Sequence, residues 1–232
     1  MLEGIFDINH IFDEEGIKTL KRFGWDGSVA VQNHNEYSEE KINAAVEYGE
    51  NCEFKVYSGV KISTKNQNEM EKAVKKYRNK VDILLVEGGD VKINRRVLEM
   101  NDVDILSTPE LNRMDNGLDH ILARLGSTNR VAVELNFGNL LKSKNYDRSK
   151  ILWAFQRNLK LSKKYDTPVV ISSGANDIYG IKAPGDLRGF LNTIADSLYS
   201  KKIIETTSKI IDYRLYLKNK NVLMPGLEIV EE

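Results

Sequence analysis

The sequence predicts an α/β protein built as a TIM-like (β/α) barrel, imperfect towards its C-terminal end, in a single domain over residues 1–232. Short β-branched apolar runs alternate with helix-length amphipathic or polar segments about seven times, the pattern of a parallel sheet with helices outside it. The runs are short and nearly continuously apolar, as strands buried on both faces must be. That favours closure into a barrel over an open doubly wound sheet, which stays the alternative. A chain of 232 residues is normal for one barrel and buries a sizeable core unaided.

In chain order, a strand near 3–8 leads to a helix over 13–23, and a second strand near 28–32 follows. Ser38, ahead of Glu40 and Lys41, is placed to cap a helix over 38–49. A strand near 54–60, a helix over 66–79 and a strand near 81–86 come next, with Gly88-Gly89 as a tight turn. A helix over 94–100, a strand near 103–106, a helix over 117–125 and a strand near 130–135 continue the alternation. Asp147 opens a long helix over 147–164, which must stop before Asp166-Thr167-Pro168. At 100° per residue its Ile151, Leu152, Phe155 and Leu159 share one arc, and Lys150, Arg157, Lys160 and Lys164 share the opposite one, with Trp153 among the lysines. The seventh strand lies near 168–172. From Pro184 to about 218 helix follows helix, and Val222-Leu223-Met224 is the first segment fit to be an eighth strand; the Glu-rich end is expected to fray.

No apolar run approaches the roughly 18–20 residues that span a bilayer, and no basic-then-apolar leader opens the chain, so a soluble, cytoplasmic protein is expected. Cys52 is the only cysteine, which excludes an internal disulfide and a thiolate cluster. The net charge of zero hides a strong asymmetry. Residues 1–53 carry twelve acids against four bases, whereas Lys142 to Tyr165 holds eight bases and one acid, and Lys201 to Lys220 six bases and two acids. A polyanion would meet those two segments first.

Catalytic groups of a barrel stand at the C-terminal ends of its strands, here Asp7, Gln32, Glu87, Glu134, Ser172 and Ser173. Asp7, Glu87 and Glu134 could serve a metal-dependent phosphoesterase. Against that, His10, His34 and His120 are scattered without chelate spacing, no P-loop or GxGxxG follows a strand, and no serine sits in a GxSxG elbow. Ser172-Ser173-Gly174 offers small residues whose backbone N–H groups could hold a phosphate.

Three blocks resemble one known family. They are Leu106-Ser107-Thr108-Pro109 through Arg113 with Gly117 to Ala123; Val131-Ala132-Val133-Glu134-Leu135 into Leu140-Leu141; and Val169 to Ala175 continuing to Leu187. As a set these are similar to the ribonuclease P component 3 proteins of archaea and eukaryotes. The resemblance implies a barrel related to the polymerase and histidinol phosphatase (PHP) phosphoesterases. Those enzymes carry Asp-x-His-x-His on the first strand, where this chain has Asp7-Ile8-Asn9-His10-Ile11. Both ligand positions are lost, and a one-residue slip is expected to turn His10 to the opposite face.

The resemblance further implies a subunit of an RNA-based endoribonuclease that removes the 5′ leader of precursor tRNA. In such an enzyme the RNA holds the Mg²⁺, the chain binds no cofactor and no metal, and the isolated chain is not catalytic. Expected partners are the ribonuclease P RNA, precursor tRNA indirectly, a small ferredoxin-like subunit in a two-plus-two assembly, and other ribonuclease P proteins, but no membrane. A non-catalytic protein scaffold is the other alternative. Basic residues beside the matching blocks are the RNA-binding candidates: Arg95, Arg96, Arg113, Arg130, Lys182 and Arg188, with Arg113 foremost because its fork suits a phosphate or a guanine edge. Lys142, Lys144 and Arg148 form a second cluster, and Leu140, Leu141 and Trp153 are candidates for the partner-subunit surface.

Overall fold

A computed structural model describes residues 3–219, 222–224 and 226–228. Seven parallel strands lie side by side in chain order: β1 (Phe6–Asn9), β2 (Gly27–Asn33), β3 (Lys55–Ile62), β4 (Ile83–Glu87), β5 (Ile105–Ser107), β6 (Ala132–Asn136) and β7 (Val169–Ser172). Around them run α1 (Glu14–Arg22), α2 (Glu39–Asn51), α3 (Gln67–Tyr77), α4 (Val91–Leu98), α5 (His120–Asn129), α6 (Phe137–Lys142) and α7 (Asn145–Tyr165). Most of these helices start at an Asp, Asn or Ser whose side chain takes up free amides of the first turn: Asp13, Ser38, Asn66, Asp90 and Asp119.

Alternation sorts each strand into an inner and an outer row. Phe6 and Ile8, Val29 and Val31, Ile83 and Leu85, Ile105, Ala132 and Val170 form one buried cluster, the barrel interior. The opposite rows, such as Ala30, Leu135 and Ile171 or Leu84, Val86 and Leu106, pack under the helices in two further clusters. Truncating one of the larger members to Ala would cost about 2–5 kcal/mol.

The barrel is nearly closed. Among the described residues no ladder joins β7 to β1, and the seam is stitched instead by His10 N–H to Ala175 O at 2.8 Å and Gly174 N–H to Ile8 O at 3.2 Å. After β7 come three helices in succession, α8 (Pro184–Ile194), α9 (Ser197–Ile204) and α10 (Thr206–Lys218). α10 plugs the N-terminal end of the barrel. Its Ile211 joins the interior cluster, Lys218 reaches Asp82 at 2.5 Å, and Arg214 pairs with Asp104, which also holds Arg78 at 2.6 Å.

Several elements depart from the sequence expectation. Val222–Met224 (β8) does not complete the barrel but pairs antiparallel with Leu227–Glu228 (β9) in a separate small sheet. Phe137–Lys142 is a helix where none was expected. α4 begins at Val91 because Asp90 caps it, and α5 waits until His120 because Asp119 is its cap. The Gly88-Gly89 turn is present: Gly89 has φ +99°, and a Cβ there would lie 2.4 Å from Leu111 O. The Glu-rich tail lies outside the described residues.

Candidate functional site

At the C-terminal mouth the inward row of β6 presents Glu134. Its carboxylate is enclosed by donors: the Ser107 hydroxyl, the Ser172 hydroxyl at 2.5 Å and the Asn136 amide at 3.2 Å. Asp7 belongs to the other row of β1, opposite Phe6 and Ile8, and faces the seam. It accepts the Ser173 backbone N–H at 2.8 Å, the Ser173 hydroxyl at 2.5 Å and the Asn9 amide at 3.0 Å. Burial nonetheless pushes the Asp7 carboxyl up to about 6. Asp7 and Glu134 therefore lie on opposite sides of the barrel wall. The phosphoesterase trio of Asp7, Glu87 and Glu134 is not brought together, and among the described residues no three His, Cys, Asp or Glu side chains are placed to share a metal ion.

The proposed phosphate loop is corrected in the same way. The amides of Ser173 and Gly174 are taken by Asp7 and Ile8, the Ser172 hydroxyl by Glu134, and both serines are fully buried. Two buried carboxylates occupy the place where the small side chains suggested an anion. His10 lies, as expected, on the face opposite Asp7 and Asn9. It keeps the parity of Phe6 and Ile8, so it stays at the mouth beside Gln32 and Lys61, with Nδ1 2.6 Å from Val31 O. Burial, with Lys61 acting in the same direction, holds it below the ordinary imidazole range. The neutral ring donates Nδ1–H to Val31. Ile11 N–H donates to Asn9 Oδ1 at 3.0 Å, and the Ile11 side chain enters the core, so neither side chain at the expected Asp-x-His-x-His positions is a histidine.

One group at this mouth had no sequence signal. Glu110, in the loop after β5, is 6% exposed, its Oε2 has no hydrogen-bond partner among the described residues, and burial, reinforced by Glu134, pushes its carboxyl up to about 8. It is protonated at neutral pH. The same loop holds Arg113, whose Nε and Nη2 both grip Asp115 at 2.6 Å, while Asp115 also accepts Gly117 N–H at 2.8 Å. The fork expected to meet RNA is closed on a neighbour, and the side chain is 16% exposed.

The remaining cations fall into two kinds. Arg95 pairs with Glu99 and Arg96 with Glu71. Arg148 donates to Ser143 O and Leu141 O, capping the end of α6, and Lys182 folds back on the carbonyls of Tyr179, Gly180 and Ile181. Lys142, Lys144 and Arg188 are exposed and make no ion pair among the described residues; Arg130 has only the Tyr213 ring, 4.6 Å from its guanidinium carbon. Leu140 is withdrawn from the partner surface: it is 6% exposed and packs in the core cluster with Phe155 and Leu159. Leu141 (43%) and Trp153 (45%) are exposed.

On α7 these groups form a stripe. Tyr146, Lys150, Trp153, Arg157, Lys160 and Lys164 are spaced i, i+4, i+7, i+11, i+14 and i+18, an arc of about 80° along one helix face. Tyr146 is 67% exposed. Aromatic rings alternate with cations and no acid interrupts them.

The profile of RNase P subunit p30 matches residues 5–219. The chain belongs to the RNase P subunit p30 family. It is 98% identical, over the whole of both chains, to Ribonuclease P protein component 3 of Methanococcus maripaludis. A chain of the cryo-EM structure of archaeal Ribonuclease P with mature tRNA superposes on it with a TM-score of 0.90 at 52% identity, covering 98% of each. The histidinol phosphate phosphatase of Lactococcus lactis shares the fold alone, with a TM-score of 0.54 at 8% identity over 91% of this chain and 94% of the other. In this p30-family chain the carboxylates of Asp7 and Glu134 are internally satisfied and Glu110 lies buried beside them without a partner on Oε2 among the described residues, and exposed cation density lies on α7 and at the end closed by α10. Among the described residues no helix is long and apolar enough to cross a membrane.

Proposed function

We propose that the chain is a protein subunit of ribonuclease P, supporting the catalytic RNA in removing the 5′ leader of precursor tRNA and doing no hydrolysis by itself. The observation that carries this is the full-length match, at 52% identity, to a chain of an archaeal ribonuclease P bound to tRNA. The cationic and aromatic stripe of α7 supports RNA contact: lysines and arginines neutralise phosphates, and Tyr146 and Trp153 offer rings to unpaired bases. Lys142 and Lys144 extend it at the helix start, and Arg188 adds an exposed guanidinium on α8 that makes no ion pair among the described residues. Mg²⁺ is assigned to the RNA, since Glu134 and Asp7 are already saturated by protein donors. Leu141 and Trp153 are available to a small ferredoxin-like subunit in a two-plus-two assembly, acting in the cytoplasm beside other ribonuclease P proteins.

The test is cleavage of precursor tRNA by the cognate RNA with and without this chain and its small partner, at limiting Mg²⁺. Stimulation that needs the chain is expected; equal rates without it would remove the proposal. A metal-dependent phosphoesterase predicts instead that the purified chain hydrolyses phosphodiesters with Mn²⁺ and no RNA. A pure protein scaffold predicts RNA binding with no steep salt dependence.

A further inference from the structure

The end of the barrel opposite the mouth holds a cavity of about 300 Å³ between the α5–β6 turn, the α7–β7 turn, α9 and α10. Its floor is apolar, with Val169, Ile203 and Ile210, and the rings of Tyr199 and Tyr213 line it. Cations stand around it: Arg130, Lys202, Lys209 and Arg214, against Asp104 and Asp166. Arg214 is committed to Asp104 and to Asn101 O. Lys202 is only 4.0 Å from an exposed Asp166, and Lys209 is 3.6 Å from Glu205, both screened surface pairs.

Arg130 differs from the others. Its residue is the left-handed end of α5, φ +59°, which swings the exposed side chain over the Tyr213 ring at 4.6 Å. Stacking fixes the plane of the guanidinium while leaving its hydrogen-bonding edge unused, with no carboxylate on it among the described residues. Tyr199 contributes a buried hydroxyl that has no partner among the described residues. The described part of the basic segment that the charge pattern singled out, from Lys201 to Lys218, is thereby folded next to an aromatic hole.

We infer that this cavity is a nucleotide pocket, receiving one unpaired base of RNA between Tyr199 and Tyr213 with the adjoining phosphate on Arg130, Lys202 and Lys209. The inference rests on the RNA-subunit role proposed above and adds to it a second contact surface, across the barrel from the mouth. An unpaired base is favoured because a duplex presents only its edges and backbone, whereas a splayed base offers a flat apolar face to rings and its phosphate to the rim. An acidic peptide would satisfy the rim but leave the flat apolar cavity without a matching group.

The experiment uses the full chain and labelled single-stranded A6 and U6 hexaribonucleotides, with a blunt duplex of equal length as control, over a series of salt concentrations. Tyr213→Leu and Arg130→Gln should each weaken hexamer binding about tenfold, while Tyr213→Phe retains it. Arg130→Gln should also reduce the salt slope by about one, and Tyr213→Leu should leave it unchanged. Duplex binding should not respond to any of the three. Arg130 is exposed, so its variant reports even where Tyr213→Leu proves unstable. Hexamer binding that is absent, or indifferent to Arg130→Gln and Tyr213→Phe/Leu alike, overturns the pocket. So does a loss confined to binding of the small protein partner. Precursor-tRNA cleavage separates the two ideas: a wild-type chain that supports it while the pocket variants behave as wild type leaves the subunit role standing without the pocket.

Discussion

The Asp7 carboxylate on β1 accepts both the backbone N–H of Ser173, at 2.8 Å, and its hydroxyl, at 2.5 Å, so one side chain spans the gap where the first and seventh strands have no ladder. Together with the backbone hydrogen bonds of His10 and Gly174, a carboxylate closes the seam of this barrel where no eighth strand stands. Ser173→Ala removes the hydroxyl arm and also the acceptor of Ala175 N–H. A hydrogen bond to a charged group contributes about 1.5–3 kcal/mol. Urea unfolding of Ser173→Ala should therefore lose about that much, with faster amide exchange at Gly174 and His10. Exchange unchanged at those two amides would mean that the seam is held elsewhere.

Glu110 makes stability fall with rising pH. Its folded value of about 8 lies above the ordinary carboxylate value of 4.5, so the folded state binds the proton more tightly than the unfolded chain. Stability is then full below about 4.5 and declines towards 8, with a slope approaching about 1.4 kcal/mol per pH unit. Asp7 acts with the same sign between 3.8 and about 6. Glu110→Gln mimics the protonated form: it should be close to wild type at pH 5 and melt higher than wild type at pH 8.5. A variant that melts lower at pH 8.5 would show that the ionised carboxylate has a partner in the fold.

Arg113 is bound to Asp115 in the loop between β5 and α5, which Asn94 also holds through Pro109 O and Gly117 O. Arg113→Ala should lower activity of the reconstituted holoenzyme without unfolding the barrel, and Asp115→Ala should do the same. If the pair acts as one clamp, the double variant is no worse than either single one. A direct RNA contact by Arg113 predicts the opposite, an Asp115→Ala protein at least as active as wild type because the fork is set free. A double-mutant cycle on cleavage rate decides between them.

Much of the architecture was legible because strands and helices here obey local rules: seven apolar runs mark seven strands, and Ser38 starts a helix by its own hydrogen bond, whereas Asp90 and Asp119 cap helices whose starts the apolar pattern misplaces by three residues. The site was less legible, since pairing is a property of distance. Nothing in the order of residues says that Arg113 closes on Asp115 or that Ser172 and Ser173 serve two carboxylates from other strands. Leu140 looked exposed because its neighbours are polar, but α6 turns it inward onto Phe155. The face of His10 was legible from alternation alone: one residue out of step with Asp7 and Asn9, it falls in the inward row of Phe6 and Ile8. Glu110 carries no motif, and its burial emerges only when the β5 loop folds back over the mouth.

Trp153 is the residue through which the α7 stripe can be separated from simple charge. It stands 45% exposed with Tyr146 two turns before it and Arg157 one turn after. Because the ring does not contribute to the core, Trp153→Ala should change stability by no more than about 0.5 kcal/mol. If Lys160 meets a phosphate as proposed, Lys160→Gln should lower RNA affinity mainly at low salt, with a slope smaller by about one. Trp153→Ala should instead weaken association at every salt concentration with the slope kept, whether the ring meets a base or the small protein subunit. Titrating the variant against RNA alone, and then against the preformed pair of RNA and small subunit, shows which: a loss seen only in the second titration places Trp153 at the protein contact. Unaltered affinity in both would withdraw the aromatic half of the stripe and leave only its lysines and arginine.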